Sequence, residues 1–161
     1  MSPDPAVSHR VQRTDQLSEV ERVNEFFNSQ EIKEDLHWFT YQDTLKRAFR
    51  RDDRRLYYIE ADTDGDIIGA LMVWCESRVL GDNEAQIRLV AVNPDYRNQG
   101  LGSYLCKRAE EFAQSQDQSL MIADVAAESP AVSFWGALGY SETDYWKTNN
   151  DREMIRVTKS I

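Results

Sequence analysis

The sequence predicts one α/β domain, a central sheet with helices on both faces. Three observations carry that expectation. Residues 86–92, Gln-Ile-Arg-Leu-Val-Ala-Val, form an apolar and β-branched run that Asn93-Pro94-Asp95 stops, since proline donates nothing to a ladder and favours turns. Leu101, Leu105, Ala109 and Phe112 then recur at helical spacing, so a strand hands over to a helix across a corner that holds Gly100 and Gly102. Residues 67–75 are apolar throughout, as expected of a central strand covered on both faces.

Taken in order, residues 1–9 read as a loose end with two prolines and no period. Residues 10–13 suit a short opening strand. Leu17, Val20, Val23, Phe26 and Phe27 fall at helical spacing, with Asp15 or Ser18 as the candidate cap. A polar stretch follows, interrupted by residues 37–41, His-Trp-Phe-Thr-Tyr. Thr40 is placed to cap a helix in which Tyr41, Leu45, Ala48 and Phe49 share a face. The alternating charges of residues 50–55 read as a solvated connection.

Residues 56–61 and 67–75 form two strands about Asp62-Thr63-Asp64-Gly65-Asp66, a hairpin signal. A calcium loop counted from Asp62 requires glycine sixth and glutamate twelfth, and Ile67 and Val73 stand there. No metal site is expected; His9 and His37 are too few and too far apart for one. Gly81-Asp82-Asn83 turns the chain into the strand that ends at the glycine corner. Residues 119–125 suit a further buried strand, Ser129-Pro130 a helix start, Gly139 its end, and residues 144–158 two closing strands.

With 161 residues a single domain is expected, and 41% hydrophobic with 29% charged residues is the composition of a globular chain. No apolar run approaches the roughly 20 residues that span a bilayer, and the first residues lack a secretory apolar core. A cytoplasmic protein without a membrane partner is the expectation. Cys75, in an apolar strand, and Cys106, in a helix, suit buried free thiols. The net charge of −9 argues against nucleic acid, which demands a positive surface, and is compatible with a cationic acceptor.

Backbone N–H groups at a helix start are unpaired and carry the positive end of the dipole, so the glycine corner suits phosphate. A dinucleotide fold requires a third glycine where Leu105 stands, and no P-loop run exists in the chain. The remaining pattern, Arg97-x-x-Gly100-x-Gly102 after a Val90-Ala91-Val92 strand ending, resembles the acetyl-coenzyme-A loop of the GNAT (GCN5-related N-acetyltransferase) superfamily. A second segment, residues 128–140, resembles that superfamily's other signature through Ala131, Phe134, Gly139 and Tyr140, while Glu128 stands at the family asparagine and Trp135 at the family tyrosine.

The resemblance implies a GNAT fold: a central mixed, mostly antiparallel sheet of about six or seven strands flanked by about four helices. It implies acetyl-CoA as co-substrate, held by Val90, Ala91 and Val92 through their backbone, by Arg97, Asn98, Gln99, Gly100, Leu101, Gly102 and Ser103, and by Trp135. The activity it implies is transfer of an acetyl group to a primary amine, on a small molecule or a protein, by direct attack on the thioester. A carboxylate that serves as base in one branch of the family falls here on Gln86. The leading candidates for proton transfer are Glu84, which shares that strand face, Glu128 and Tyr140, with Glu76 and Asp124 as further carboxylates at strand or helix ends. Trp38 and Tyr41 are the candidate acceptor-binding aromatics. The alternative is a CoA-binding module without turnover. The aromatic closing strands suit a homodimer.

Overall fold

The computed structural model describes residues 10–36 and 40–161, with residues 34–36 described by their backbone. Seven strands, β1 (Val11–Arg13), β2 (Arg54–Glu60), β3 (Ile67–Trp74), β4 (Glu84–Val92), β5 (Leu120–Ala126), β6 (Ser141–Lys147) and β7 (Glu153–Ser160), form one sheet in the order β1-β2-β3-β4-β5-β7-β6. Every pair is antiparallel except β4–β5. Five α-helices are described: α1 (Leu17–Phe27), α2 (Gln30–Leu36), α3 (Gln42–Arg50), α4 (Leu101–Ser115) and α5 (Ala131–Ala137). The mixed, mostly antiparallel sheet is the one expected.

The sheet separates two cores. On one face Leu101, Leu105, Ala109 and Phe112 of α4 and Trp135 of α5 pack with Tyr57, Leu71, Ile87, Met121 and Val157. On the other face Val20, Val23 and Phe27 of α1, Ile32 of α2 and Leu45 and Ala48 of α3 pack with Leu56, Tyr58, Ala70 and Met72. These helical residues recur every three or four positions, which gives each helix one apolar stripe to bury.

Three local expectations are corrected. The stretch 30–36 is a helix: Ile32, 2% exposed, anchors a helix of seven residues, about two turns, too short for sequence periodicity to register. The cap of α1 is Gln16, not Asp15 or Ser18, because the Glu19 carboxylate reaches back to accept the N–H groups of Asp15 (2.7 Å) and Gln16 (2.9 Å). Tyr41, not Thr40, is the cap residue of α3, and the buried Thr40 instead holds the loop through its backbone, bonded at both N–H and C=O to the Asn28 side chain. At α5 the first helical residue is Ala131, whose N–H is accepted by Ser129 Oγ at 3.1 Å. Cys75 and Cys106 are both buried and unbridged, and burial pushes the Cys75 thiol up to about 12.

Candidate active site

The site grows from one irregularity in β4. Met72 of β3 pairs with Leu89 and Val73 pairs with Ile87, so Arg88 is an extra residue, a β-bulge. The bulge shifts the side-chain phase. Ile87, Val90 and Val92 join the core under α4, whereas Leu89 and Ala91 join the core under α1. It also re-aims the strand. β4 pairs with β5 only through Glu84↔Leu120, Ala85↔Met121 and Gln86↔Ile122. Beyond that point β4 stays on β3 as far as Val92↔Gly69, and β5 stays on β7 as far as Ala126↔Met154. The two strands diverge, and residues 88–92 present backbone groups to an open seam with no strand partner on that side among the described residues.

At the end of β4 a single 3₁₀ turn, Pro94–Tyr96, leads into residues 97–102. Asn98 (φ 65°) and Gly100 (φ 80°) are both left-handed, and Gly100 is the N-cap of α4. The first intrahelical bond runs from Tyr104 N–H to Gly100 C=O, so the N–H groups of Leu101, Gly102 and Ser103 point out of the helix start. A Cβ on Gly102 would meet Phe134 Cε1 at 2.8 Å, Cζ at 3.0 Å and Val92 Cγ2 at 3.8 Å. Only glycine lets α4, α5 and the end of β4 converge this closely. The result is a ring of backbone donors at the positive end of a 15-residue helix, placed where the seam opens. These features fit the pyrophosphate and amide-bearing arm of a coenzyme A thioester. The loop supplies anion donors, and the β4 edge supplies a strand-like hydrogen-bonding partner.

The expected residues are not all gathered there. Val90, Ala91, Val92 and residues 97–103 line the seam and its mouth, with the Leu101 side chain turned into the core. Trp135 is 4% exposed, its ring edge-on to both Phe134 (5.2 Å) and Tyr140 (4.8 Å). Tyr140 is enclosed as well: its hydroxyl donates to Glu110 Oε2 at 2.9 Å, Glu110 also pairs with Lys159, and burial together with Glu110 pushes the phenol well above its ordinary value. Glu84 does share the Gln86 face, yet its carboxylate accepts the Gly81 N–H at 2.7 Å and so closes its own turn. Glu128 pairs with Arg152 at 3.2 Å. Tyr41 is an exposed cap residue of α3, and Trp38 lies outside the described residues.

Sequence reasoning missed a polar row that crosses six strands on the α1 side of the sheet. Arg54 and Arg88 both stack on the Trp74 indole, at 3.6 and 4.4 Å. Arg88 Nη1 donates to Gln86 Oε1 at 3.0 Å, and Gln86 Nε2 donates to Asp124 Oδ2 at 3.3 Å. Arg156 grips Asp124 with two bonds, 2.9 and 3.1 Å, and lies 5.8 Å over the Trp146 ring. Burial pushes Arg88 below its ordinary value, Asp124 opposes that and Arg156 adds to it. The row lies where β4 and β5 part: Gln86 is in the last bonded pair, and Arg88 and Asp124 are each two residues beyond it. Its one signal in the sequence was a charged and an amide residue, Arg88 and Gln86, alternating inside an otherwise apolar strand.

A sheet split between its parallel strands, with a left-handed donor loop at the mouth, defines the acyl-CoA-binding architecture of the GNAT fold. The acetyltransferase (GNAT) family model matches residues 19–140, and the chain belongs to that family. A putative [ribosomal protein bS18]-alanine N-acetyltransferase of Bacillus subtilis is 27% identical over 104 residues, covering 62% of this chain and 66% of its own length. An uncharacterized N-acetyltransferase of Methanocaldococcus jannaschii is 26% identical over 106 residues, covering 64% of this chain and 46% of its own. The chain thus matches less than two thirds of either relative's length. Among solved structures, the NatC complex bound to Gag peptide and CoA superposes at a TM-score of 0.80 with 13% identity, over 96% of this chain and 99% of that one, a likeness of fold. Among the described residues no helix is long and apolar enough to cross a membrane, and no cluster of His, Cys, Asp and Glu is placed to hold a metal.

Proposed function

We propose that the protein is an acetyl-CoA-dependent N-acetyltransferase that acts on a primary amine. The reading rests above all on the open seam. A strand edge left unbonded inside a sheet is costly unless something pairs with it, and the donor loop at its mouth selects a phosphate-bearing partner. Family membership supports acetyl-CoA as that partner. In the reaction the amine nitrogen bonds to the acetyl carbon, the carbon–sulfur bond breaks, the thiolate takes a proton and the amine loses one. The β4 backbone beyond the bulge supplies N–H donors to the thioester oxygen.

Proton removal from the amine is the step this chain does least to help. Glu84 and Glu128 are engaged, Asp124 is fixed by two bonds from Arg156, and Gln86 has no basicity. Water therefore takes the proton, which favours an amine of low pKa. An α-amino group, with a pKa near 7.7–8.0, is roughly one-tenth neutral at pH 7, whereas a lysine amine is neutral in well under one part in a thousand. Thiol release from acetyl-CoA over a panel of α-amines and ε-amines tests the reading. Release with α-amines, at a rate that rises with pH until the amine itself is neutral, is expected. Tight CoA binding with no release over the whole panel would replace the enzyme with a binding module.

A further inference from the structure

The polar row on the α1 side has a composition that the transfer reaction does not itself require. Its side chains in direct contact are three arginines, Arg54, Arg88 and Arg156, and one carboxylate, Asp124, with Glu84 and Asp144 acting on Arg156 from further off, in a chain whose net charge is −9. Asp124 is consumed by Arg156 and Gln86. Arg88 receives only a neutral amide oxygen, and among the described residues no carboxylate lies within ion-pair distance of it. The guanidinium has five donor N–H groups in a fork that matches a carboxylate. One is spent on Gln86. Stacking on Trp74 holds the rest of the fork in place, and the residue as a whole is exposed. The row is also rich in donors elsewhere: Trp74 Nε1 and Arg54 Nε are buried with no acceptor among the described residues.

Position gives this surplus its meaning. The donor loop and Gly102 lie at the start of α4, on one face of the sheet, so the thioester enters from that side. The row lies on the opposite face, at the point where the seam opens, and an amine that attacks through the seam must rest on it.

We propose that the acceptor carries a carboxylate close to its amine, and that Arg88 receives that carboxylate. Two sources share this chemistry: an acidic residue at the N-terminus of a peptide, and the α-carboxylate of a free amino acid. The proposal rests on the transferase reading given above. It predicts discrimination between acceptors that differ in one group, because a charge-assisted hydrogen bond is worth about ten- to a hundred-fold in binding.

The test uses the wild-type chain and two matched pairs with acetyl-CoA: Asp-Ala-Ala-amide against Asn-Ala-Ala-amide, and glycine against glycinamide. In at least one pair the carboxylate member is expected to show a kcat/KM, referred to the neutral fraction of its amine, at least ten-fold above its amide. The pair in which the preference appears identifies the source. In Arg88→Gln the ratio falls toward one, and Arg88→Lys restores part of it. Amides used as well as the carboxylates in both pairs would overturn the proposal and leave acetyl transfer standing. If no amine is turned over, the transferase reading fails. Calorimetry of the N-acetylated acidic peptide on the CoA-saturated chain then decides the recognition site separately: binding that Arg88→Gln abolishes upholds it, and no binding refutes it.

Discussion

Gly102→Glu separates the coenzyme site from the fold. The new Cβ would sit 2.8 Å from Phe134 Cε1, well inside van der Waals contact, and moving the ring costs about 1–3 kcal/mol. Two gains oppose that cost. Replacing a helical glycine returns up to about 1 kcal/mol. A carboxylate in the first turn of α4, which has no acidic residue of its own, returns about 0.3–1 kcal/mol by complementing the helix dipole. Stability therefore falls by no more than about 3 kcal/mol, and thermal melting is expected to show a folded protein. Ligand affinity has no such compensation. The introduced carboxylate occupies the donors meant for pyrophosphate, and a like-charge pair at about 5 Å in a surface dielectric near 20 costs about 3 kcal/mol, or about a hundred-fold in Kd. Calorimetry with acetyl-CoA measures the change directly. A folded variant whose Kd stays within two-fold of wild type would refute the claim that this helix start holds the phosphates.

Two further substitutions probe the surroundings. Tyr140→Phe removes the hydrogen bond to Glu110 from a buried network, so it is expected to cost about 1 kcal/mol in denaturant unfolding and to leave kcat within two-fold; a hundred-fold loss of kcat would return the hydroxyl to the chemistry. Glu19 gives a pH signature. Burial alone would raise its carboxyl, but hydrogen bonds from Tyr58 and from the Asp15 and Gln16 N–H groups, with Arg22 nearby, hold it below its ordinary value. A depressed folded value means that the contribution is present above the unfolded value near 4.3 and is lost as pH falls through the folded one. The melting temperature of the wild type should therefore drop on acidification below about pH 4.5 more steeply than that of Glu19→Gln. Parallel curves would show that the anchor of α1 owes nothing to charge.

The glycine corner was legible because its requirements are local. Positive φ at Gly100 and the close approach at Gly102 are demands on single residues, and the strand before and helix after them announce themselves by period. The same holds for the central strand 67–74, buried on both faces. The bulge at Arg88 was not legible. Gln-Ile-Arg-Leu-Val-Ala-Val reads as one uninterrupted strand, and the phase change between Ile87 and Leu89 exists only relative to β3. The polar row fails to show for a related reason: Trp74, Gln86, Asp124 and Arg156 lie far apart in the chain and meet only through cross-strand register. Glu84 illustrates the limit of face arguments. Alternation put it on the same side as Gln86, as it is, but could not foresee that Gly81 would engage its carboxylate. Tyr140 and Trp135 matched or replaced signature positions, and packing turned both into core residues. Register and packing are tertiary facts, and no window of sequence contains them.

The central claim is that the seam between β4 and β5 seats acetyl-CoA for transfer to an amine on the other face of the sheet. Free thiol released from acetyl-CoA, followed continuously as an α-amine is titrated in, tests it most directly. Release is expected to saturate with amine and, at acetyl-CoA concentrations below the wild-type Kd, to fall about a hundred-fold in Gly102→Glu. Thiol release that is independent of amine, or equal in the variant and the wild type, would contradict it.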